Sequence, residues 1–297
     1  WSIEGGNVDF VVWIDSIGDP NQIVSGTTQI TRSPTRLLIA EYAARFVKES
    51  GIMTDPHFSF QAGAGGVSLA FVKYMSDLMR EAGVAADFVR GGSTKYMVGM
   101  LENGLTRYIL DGQSFDLDGV RSLRDNPCHI ETNPFVSYDY HTKGCFAQLL
   151  KVSVLGATEI DLDYNVNVNT HSDGWLLHGI GGFTDAADAE VTMITAPLVR
   201  SRLPIVLDSV TTVTAPGEMI DVVVTEHGIA INPRRQDLLD RLKGSTLPLK
   251  TIEELRDIAA RMSGVPEKPQ FADRVVAVIE FRDGTIIDAV RELVPPE

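Results

Sequence analysis

Apolar and polar positions change period several times along the chain, and each change marks an expected element. Between 33 and 51, Leu37, Leu38, Tyr42, Phe46 and Val47 recur at helical spacing. Ser33 stands before them as an N-cap, Pro34 takes the first helical position and Gly51 closes the run. The stretch FSFQAGAGG (58–66) predicts a strand entering a glycine turn, and VSLAFVKYMSDLMREAG after it returns to helical spacing. The same grammar repeats over 85–116: a strand, a turn at Gly91-Gly92, a helix to about Glu102, a stop at Asn103-Gly104, and a further strand.

Beyond residue 148 the pattern changes. The runs 149–168, 191–198, 202–214 and 219–231 are rich in Val, Ile and Thr and predict strands, as does VDFVVWIDSIG at 8–18. A helix is expected over 251–264 and a strand pair over 275–290, turned at Asp283-Gly284, with 262–272 as the linker to that pair. Strands alternating with helices imply an α/β protein, an open sheet with flanking helices and a strand-rich second half.

Within this pattern LLHGIGGFTDAA (176–187) places Gly179, Gly181 and Gly182 within four residues. Such a backbone comes close to a ligand because no Cβ intervenes. It holds a phosphate, holds an oxyanion or only turns a corner. A related loop, GAGG at 63–66, also follows an apolar run. Neither completes the dinucleotide fingerprint, because Ser68 and Thr184 stand where the third glycine belongs, and there is no Gly-Lys-Ser/Thr ending. In an α/β sheet such turns gather outside the carboxyl ends of the strands, where ligands bind.

Charge narrows the classes. With 40 acidic against 26 basic residues the chain carries −14, which argues against nucleic acid as a partner. No apolar run approaches the roughly 18 residues of a membrane span. The beginning has no secretory pattern, and two cysteines, Cys128 and Cys145, point to a reducing cytoplasm. His171 and His178 have no cysteine or carboxylate at metal spacing, so no metal is expected; His178 is placed facing the cleft. No G-x-S-x-G elbow occurs. Glu226, just after a buried strand and before Gly228, is where an α/β enzyme presents a carboxylate, or where a strand merely ends in a polar residue.

FQAGAGG, GGSTKYMVGMLENG, the whole run 176–233 and DGTIIDAV together resemble the family of citrate lyase α subunits. The resemblance covers nearly the whole chain and is strongest over 176–233. It implies a CoA-transferase-like fold, with 1–297 as a single domain forming the C-terminal part of a longer two-domain subunit. It implies exchange of acetyl for citryl on a carrier thioester through a mixed anhydride. The implied thioester carrier is CoA or the CoA-derived group of an acyl carrier protein. The implied partners are citrate and acetate, that carrier protein, a lyase β subunit and further copies within a larger complex.

On this resemblance Gly179, Gly181 and Gly182 aim N–H groups at the thioester oxygen, and Gln61, Gly63, Gly65, Gly66, Gly91 and Gly92 line the same cleft. Arg90 is the first choice among Arg32, Arg36, Arg90, Arg200 and Arg202 for a citrate carboxylate. Asn165, alternating with Asn167, either lines the cleft or forms the polar side of an edge strand. Transferases of similar fold that form a glutamyl thioester carry G-I-H-T-E-M; here Lys95 stands at the glutamate, so no covalent enzyme intermediate is expected there and Lys95 is free to pair with citrate. Glu102, in LENG, reads as a helix end. Two other readings stay open: a general CoA-transferase for another carboxylic acid, and a non-catalytic carrier-binding or assembly domain.

Overall fold

A computed structural model of the chain describes residues 3–19, 28–139 and 144–294. The first half follows the expected alternation. Pro34–Glu49 (α1), Ser59–Ala62 (β1), Gly66–Ala82 (α2), Ala86–Ser93 (β2), Lys95–Glu102 (α3), Thr106–Ser114 (β3), Leu117–Asp125 (α4) and His129–Glu131 (β4) succeed one another. Two short helices, Pro134–Tyr138 (α5) and Phe146–Leu149 (α6), lead to Val152–Leu155 (β5). Then come Glu159–Ile160 (β6), Val166–Asn167 (β7), Phe183–Ala186 (α7), Val191–Thr195 (β8), Val199–Arg200 (β9) and Leu203–Pro204 (β10). Val222–Thr225 (β11), Gly228–Ile231 (β12), Gln236–Arg241 (α8), Leu249–Lys250 (β13), Ile252–Ser263 (α9), Phe271–Glu280 (β14) and Ile286–Leu293 (β15) complete the order.

Among the described residues nine strands form one sheet, in the order β13-β12-β11-β8-β5-β1-β2-β3-β4. Every neighbouring pair is parallel except β11 with β12. The alternation of side chains across a strand assigns the two faces. Val222 and Val224 join α1, α2, α3 and α8 in the larger core, whereas Val223, with Ile194 of β8 and Ala230 of β12, packs with α9. Strands buried on both sides explain why β8 and β11 read as unbroken apolar or Thr-rich runs.

α9 opens with a complete capping box, in which Glu254 N–H donates to Thr251 Oγ1 and Thr251 N–H donates back to Glu254. Thr251→Ala is expected to lower the unfolding free energy by about 1 kcal/mol, measured by urea titration.

Four expectations need correction. Residues 8–18 form no strand: they have no sheet partner among the described residues, and Trp13 is 93% exposed. The run 202–214 is a strand only at Leu203–Pro204, because the N–H groups of Val210, Thr211 and Val213 donate to the carboxylates of Asp161, Glu159 and Asp288 instead of to a ladder. Gly91-Gly92 is not a turn but the last part of β2, where a bulge against β3 separates the two glycines. The expected linker 262–272 shortens to 264–270, since α9 runs through Ser263 and β14 begins at Phe271.

Candidate functional site

The strand order reverses at β1. From β1 the chain builds outward through β2, β3 and β4, then returns to lay β5 on the other side of β1. In open α/β sheets ligands bind outside the carboxyl ends of the strands at such a switch point. Ala62 pairs with Val154, so the chain leaving β1 at Gly63 and the chain leaving β5 start side by side. Gly156, Ala157 and Thr158, just past β5, line a pocket of about 330 Å³ together with His178, Ile180, Phe183 and Arg200.

The glycines divide into two kinds. A Cβ on Gly65 would meet nothing within 4 Å, and neither would one on Gly179 or Gly181; one on Gly63 would reach only Ser68 Oγ, at 3.6 Å. These four border open space. Gly66 opens α2, where a Cβ would stand 3.1 Å from Thr31; Gly91 has φ +121° against the Ala62 carbonyl, and Gly92 faces the Phe115 ring. Those three are packing requirements. No N–H of Gly179, Gly181 or Gly182 donates to another protein group among the described residues. Gly181 is left-handed at φ +60°, and Gly182 precedes the single turn of α7.

Beneath this loop lies a buried polar row that crosses the sheet in register: Arg90 on β2, Gln61 on β1, Ser153 on β5 and Thr192 on β8. Arg90 is 1% exposed. Its Nη1 donates to Gln61 Oε1 at 3.3 Å, and its Nε has no partner among the described residues. The Tyr138 ring covers the guanidinium, 4.1 Å from ring centre to Cζ, and Gly182 rests near the same ring. Arg282, between β14 and β15, donates to the Tyr138 carbonyl at 3.0 Å and pairs with Asp185 and Asp188 of the α7 region. Burial pushes the Asp185 carboxyl above its ordinary value, while Arg282 and Arg90 pull it back. Tyr138, Asp185 and Arg282 escape the sequence reading, because three distant segments supply them.

The remaining expected residues are placed as follows. His178 lines the pocket, with Nδ1 2.7 Å from the Gly179 carbonyl. Glu226 sits in the β11–β12 turn, where Oε2 accepts from Leu198 N–H. Lys95 is exposed at the start of α3, its ammonium 5.2 Å from the Tyr96 ring centre. The Asn165 amide donates to Asp161 and accepts from Gly217 N–H, tying a loop together. Glu102 ends α3 and pairs with Arg121 on the surface. Among the described residues no three His, Cys, Asp or Glu side chains converge as a metal site requires, and no helix is long and apolar enough to cross a membrane.

Beside the row, Ser93 at the end of β2, Asp111 within β3 and His129 at the start of β4 form a second buried cluster. His129 Nε2 lies 3.0 Å from Ser93 Oγ and 3.4 Å from Asp111 Oδ2. A catalytic triad needs the two imidazole nitrogens to face different partners; here one nitrogen faces both, and Nδ1 is buried without a partner. The cluster therefore fastens β2, β3 and β4 to one another. Burial alone would raise the Asp111 carboxyl, but bonds from His129, Ser114 and Ser93 outweigh it and hold the group below its ordinary range. The stability so gained is fully present above the ordinary aspartate pKa and is lost as pH falls through it toward the lowered value. Asp111→Asn is thus expected to flatten unfolding free energy against pH below about pH 4, followed by urea titration.

A parallel-dominated sheet with flanking helices and a glycine-bordered crevice at its switch point defines the class: a mixed α/β protein with its candidate site where open sheets of this kind bind ligands. The chain belongs to the citrate lyase alpha subunit family, whose model matches residues 1–293. The citrate lyase alpha chain of Klebsiella pneumoniae is 48% identical over 295 residues, covering 98% of this chain and 58% of its own length. That of Escherichia coli K12 is 44% identical over 293 residues, covering 98% and 57%. A crystal structure of the citrate lyase alpha subunit of Streptococcus mutans in complex with citrate is similar at a TM-score of 0.91 and 43% identity, over 97% of this chain and 57% of that one. The chain thus spans a little under three fifths of the length of these relatives.

Proposed function

We propose that this chain forms the acyl-transfer part of a citrate lyase α subunit, on a CoA-transferase-type sheet, exchanging acetyl for citryl on a carrier thioester. The observation that carries the reading is the switch-point crevice itself. Among the described residues the N–H groups of Gly179, Gly181 and Gly182 at its border are unengaged, and a buried arginine without a bonded carboxylate lies below them.

A citrate carboxylate oxygen attacks the acetyl thioester carbonyl, the C–S bond breaks and the thiolate leaves with its electron pair. The thiolate then attacks the citryl carbonyl of the resulting mixed anhydride, and acetate departs. Each attack puts negative charge on a carbonyl oxygen. An N–H aimed at that oxygen contributes about 3 kcal/mol to its stabilisation. His178 and Arg200 line the pocket that takes the reacting end, and the Arg90 charge favours every anionic state above it. Lys95 stands where related transferases carry a glutamate, which supports direct transfer without an enzyme-bound acyl group. In the cell the thioester belongs to the CoA-derived arm of an acyl carrier protein, and a lyase β subunit cleaves the citryl product within a larger complex.

The test is citrate-dependent loss of the acetyl-CoA thioester, with acetyl-CoA standing for the acylated carrier. Loss matched by citryl thioester is expected, either with this chain alone or with the rest of the subunit added. No turnover in both arrangements would sink the transferase reading, and equal turnover with unrelated carboxylic acids would make the chain a general CoA-transferase.

A further inference from the structure

With Arg90 buried and its guanidinium 4.1 Å from the Tyr138 ring centre, the group presented above that charge is the tyrosine. The far end of the ring reaches the glycine loop. A Cβ built at Gly182 would stand 3.7 Å from Tyr138 Cζ and 3.7 Å from its hydroxyl oxygen. Among the described residues the hydroxyl is neither buried nor hydrogen-bonded. The rest of the residue is fastened on every side. Arg282 donates to its carbonyl at 3.0 Å, and the guanidinium below holds the ring by a cation–π contact. In the same short helix Asn133 accepts from Val136 N–H. Ser137 Oγ donates to Thr132 Oγ1 at 3.1 Å, and that hydroxyl donates on to the Asp111 carbonyl of β3. A fixed ring with a free hydroxyl at its tip is a preorganised donor, the kind of group that stabilises a developing oxyanion.

The spacing suits two donors on one acceptor. Standard bond lengths put a backbone nitrogen about 2.5 Å from its own Cβ, so Gly182 N and the Tyr138 hydroxyl stand at most about 6 Å apart. An oxygen about 3 Å from each fits between them. We propose that Tyr138 is a catalytic residue, its hydroxyl donating together with Gly182 N–H to the thioester carbonyl oxygen. As the citrate oxygen bonds to the carbonyl carbon, the C=O π pair moves onto that oxygen and meets the two donors. The pair returns when the C–S bond breaks, and the phenol keeps its proton throughout. The Arg90 charge beneath the ring favours the same anion, so the buried arginine and the accessible hydroxyl act on one atom. The part played in transfer rests on the acyl-transfer reading; donation to a bound thioester does not.

Tyr138→Phe keeps the ring over Arg90 and deletes only the hydroxyl. In citrate-dependent loss of the acetyl-CoA thioester, kcat is expected to fall by about 100-fold. KM for citrate and for acetyl-CoA is expected to stay within about twofold, and the urea midpoint to stay with the parent. Infrared difference spectra of carbonyl-labelled acetyl-CoA, bound without citrate, give a second readout. A donor on the carbonyl oxygen lowers its stretching frequency, so the band is expected to move to higher frequency in Tyr138→Phe. A kcat within about twofold of the parent, a change confined to KM, or a rate loss matched by lost stability overturns the proposal. A band that depends on Tyr138, with no citrate-dependent turnover in the parent, upholds the donor and removes the acyl-transfer reading. Turnover in the parent, with rate and band both untouched by the substitution, does the reverse.

Discussion

Arg90→Met is expected to slow citrate-dependent thioester loss by about 30-fold while leaving the fold intact. The guanidinium is buried; among the described residues its Nε lacks a partner and its one side-chain hydrogen bond is to a neutral amide. The Gly182 loop lies across the Tyr138 ring from it. At an effective dielectric of about 20, a unit charge favours an anion about 8 Å away by about 2 kcal/mol, which is about 30-fold in rate. Methionine keeps an apolar stem under Tyr138, and removing a buried charge with no bonded carboxylate is close to neutral for stability. The measurement is kcat/KM for citrate beside the urea midpoint. A rate within about twofold of the parent would show that the Arg90 charge plays no part in transfer.

Gly91→Ala is expected to cost about 3 to 5 kcal/mol of stability, and to damage the site even where the protein still folds. At φ +121° an L side chain is strained, and the new Cβ would stand 2.5 Å from the Ala62 carbonyl oxygen. That oxygen belongs to the last residue of β1, whose backbone cannot swing away as a long side chain would. β2 must therefore move off β1 at the bulge, taking Arg90 away from Gln61. Chemical unfolding checks the stability loss. Alanine at Gly179, which borders open space, is the contrast and is expected to stay within about 1 kcal/mol of the parent.

The first half was legible because its signals are local. Pro34 and Gly51 bracket α1, Gly65 and Gly83 bracket α2, and the periodic residues between them pack as expected. The run 8–18 misled because β-propensity reports fitness for a half-buried sheet surface, and here no sheet meets it. The run 202–214 misled because buried carboxylates took its N–H groups. Arg90 was legible as an arginine before glycines, but not as a member of a row. The register that sets Gln61 beside it, and Ser153 beside Gln61, is long-range pairing that no local pattern encodes. Glycine composition likewise did not separate Gly91 and Gly92, needed for packing, from Gly179 and Gly181, which face open space.

The contacts of Arg282 set an order in time. It joins the β14–β15 hairpin to Tyr138 and to the carboxylates after Gly182, so the loop over the sheet is pinned by a segment that follows all nine strands of the large sheet in the chain. A ribosome makes that segment after the sheet. The nascent chain can assemble β1, β2 and β5 and their helices well before residue 282 emerges, yet the glycine loop stays unfastened until it does. A chain cut short before residue 282 would keep its sheet and lose the pin on its glycine loop.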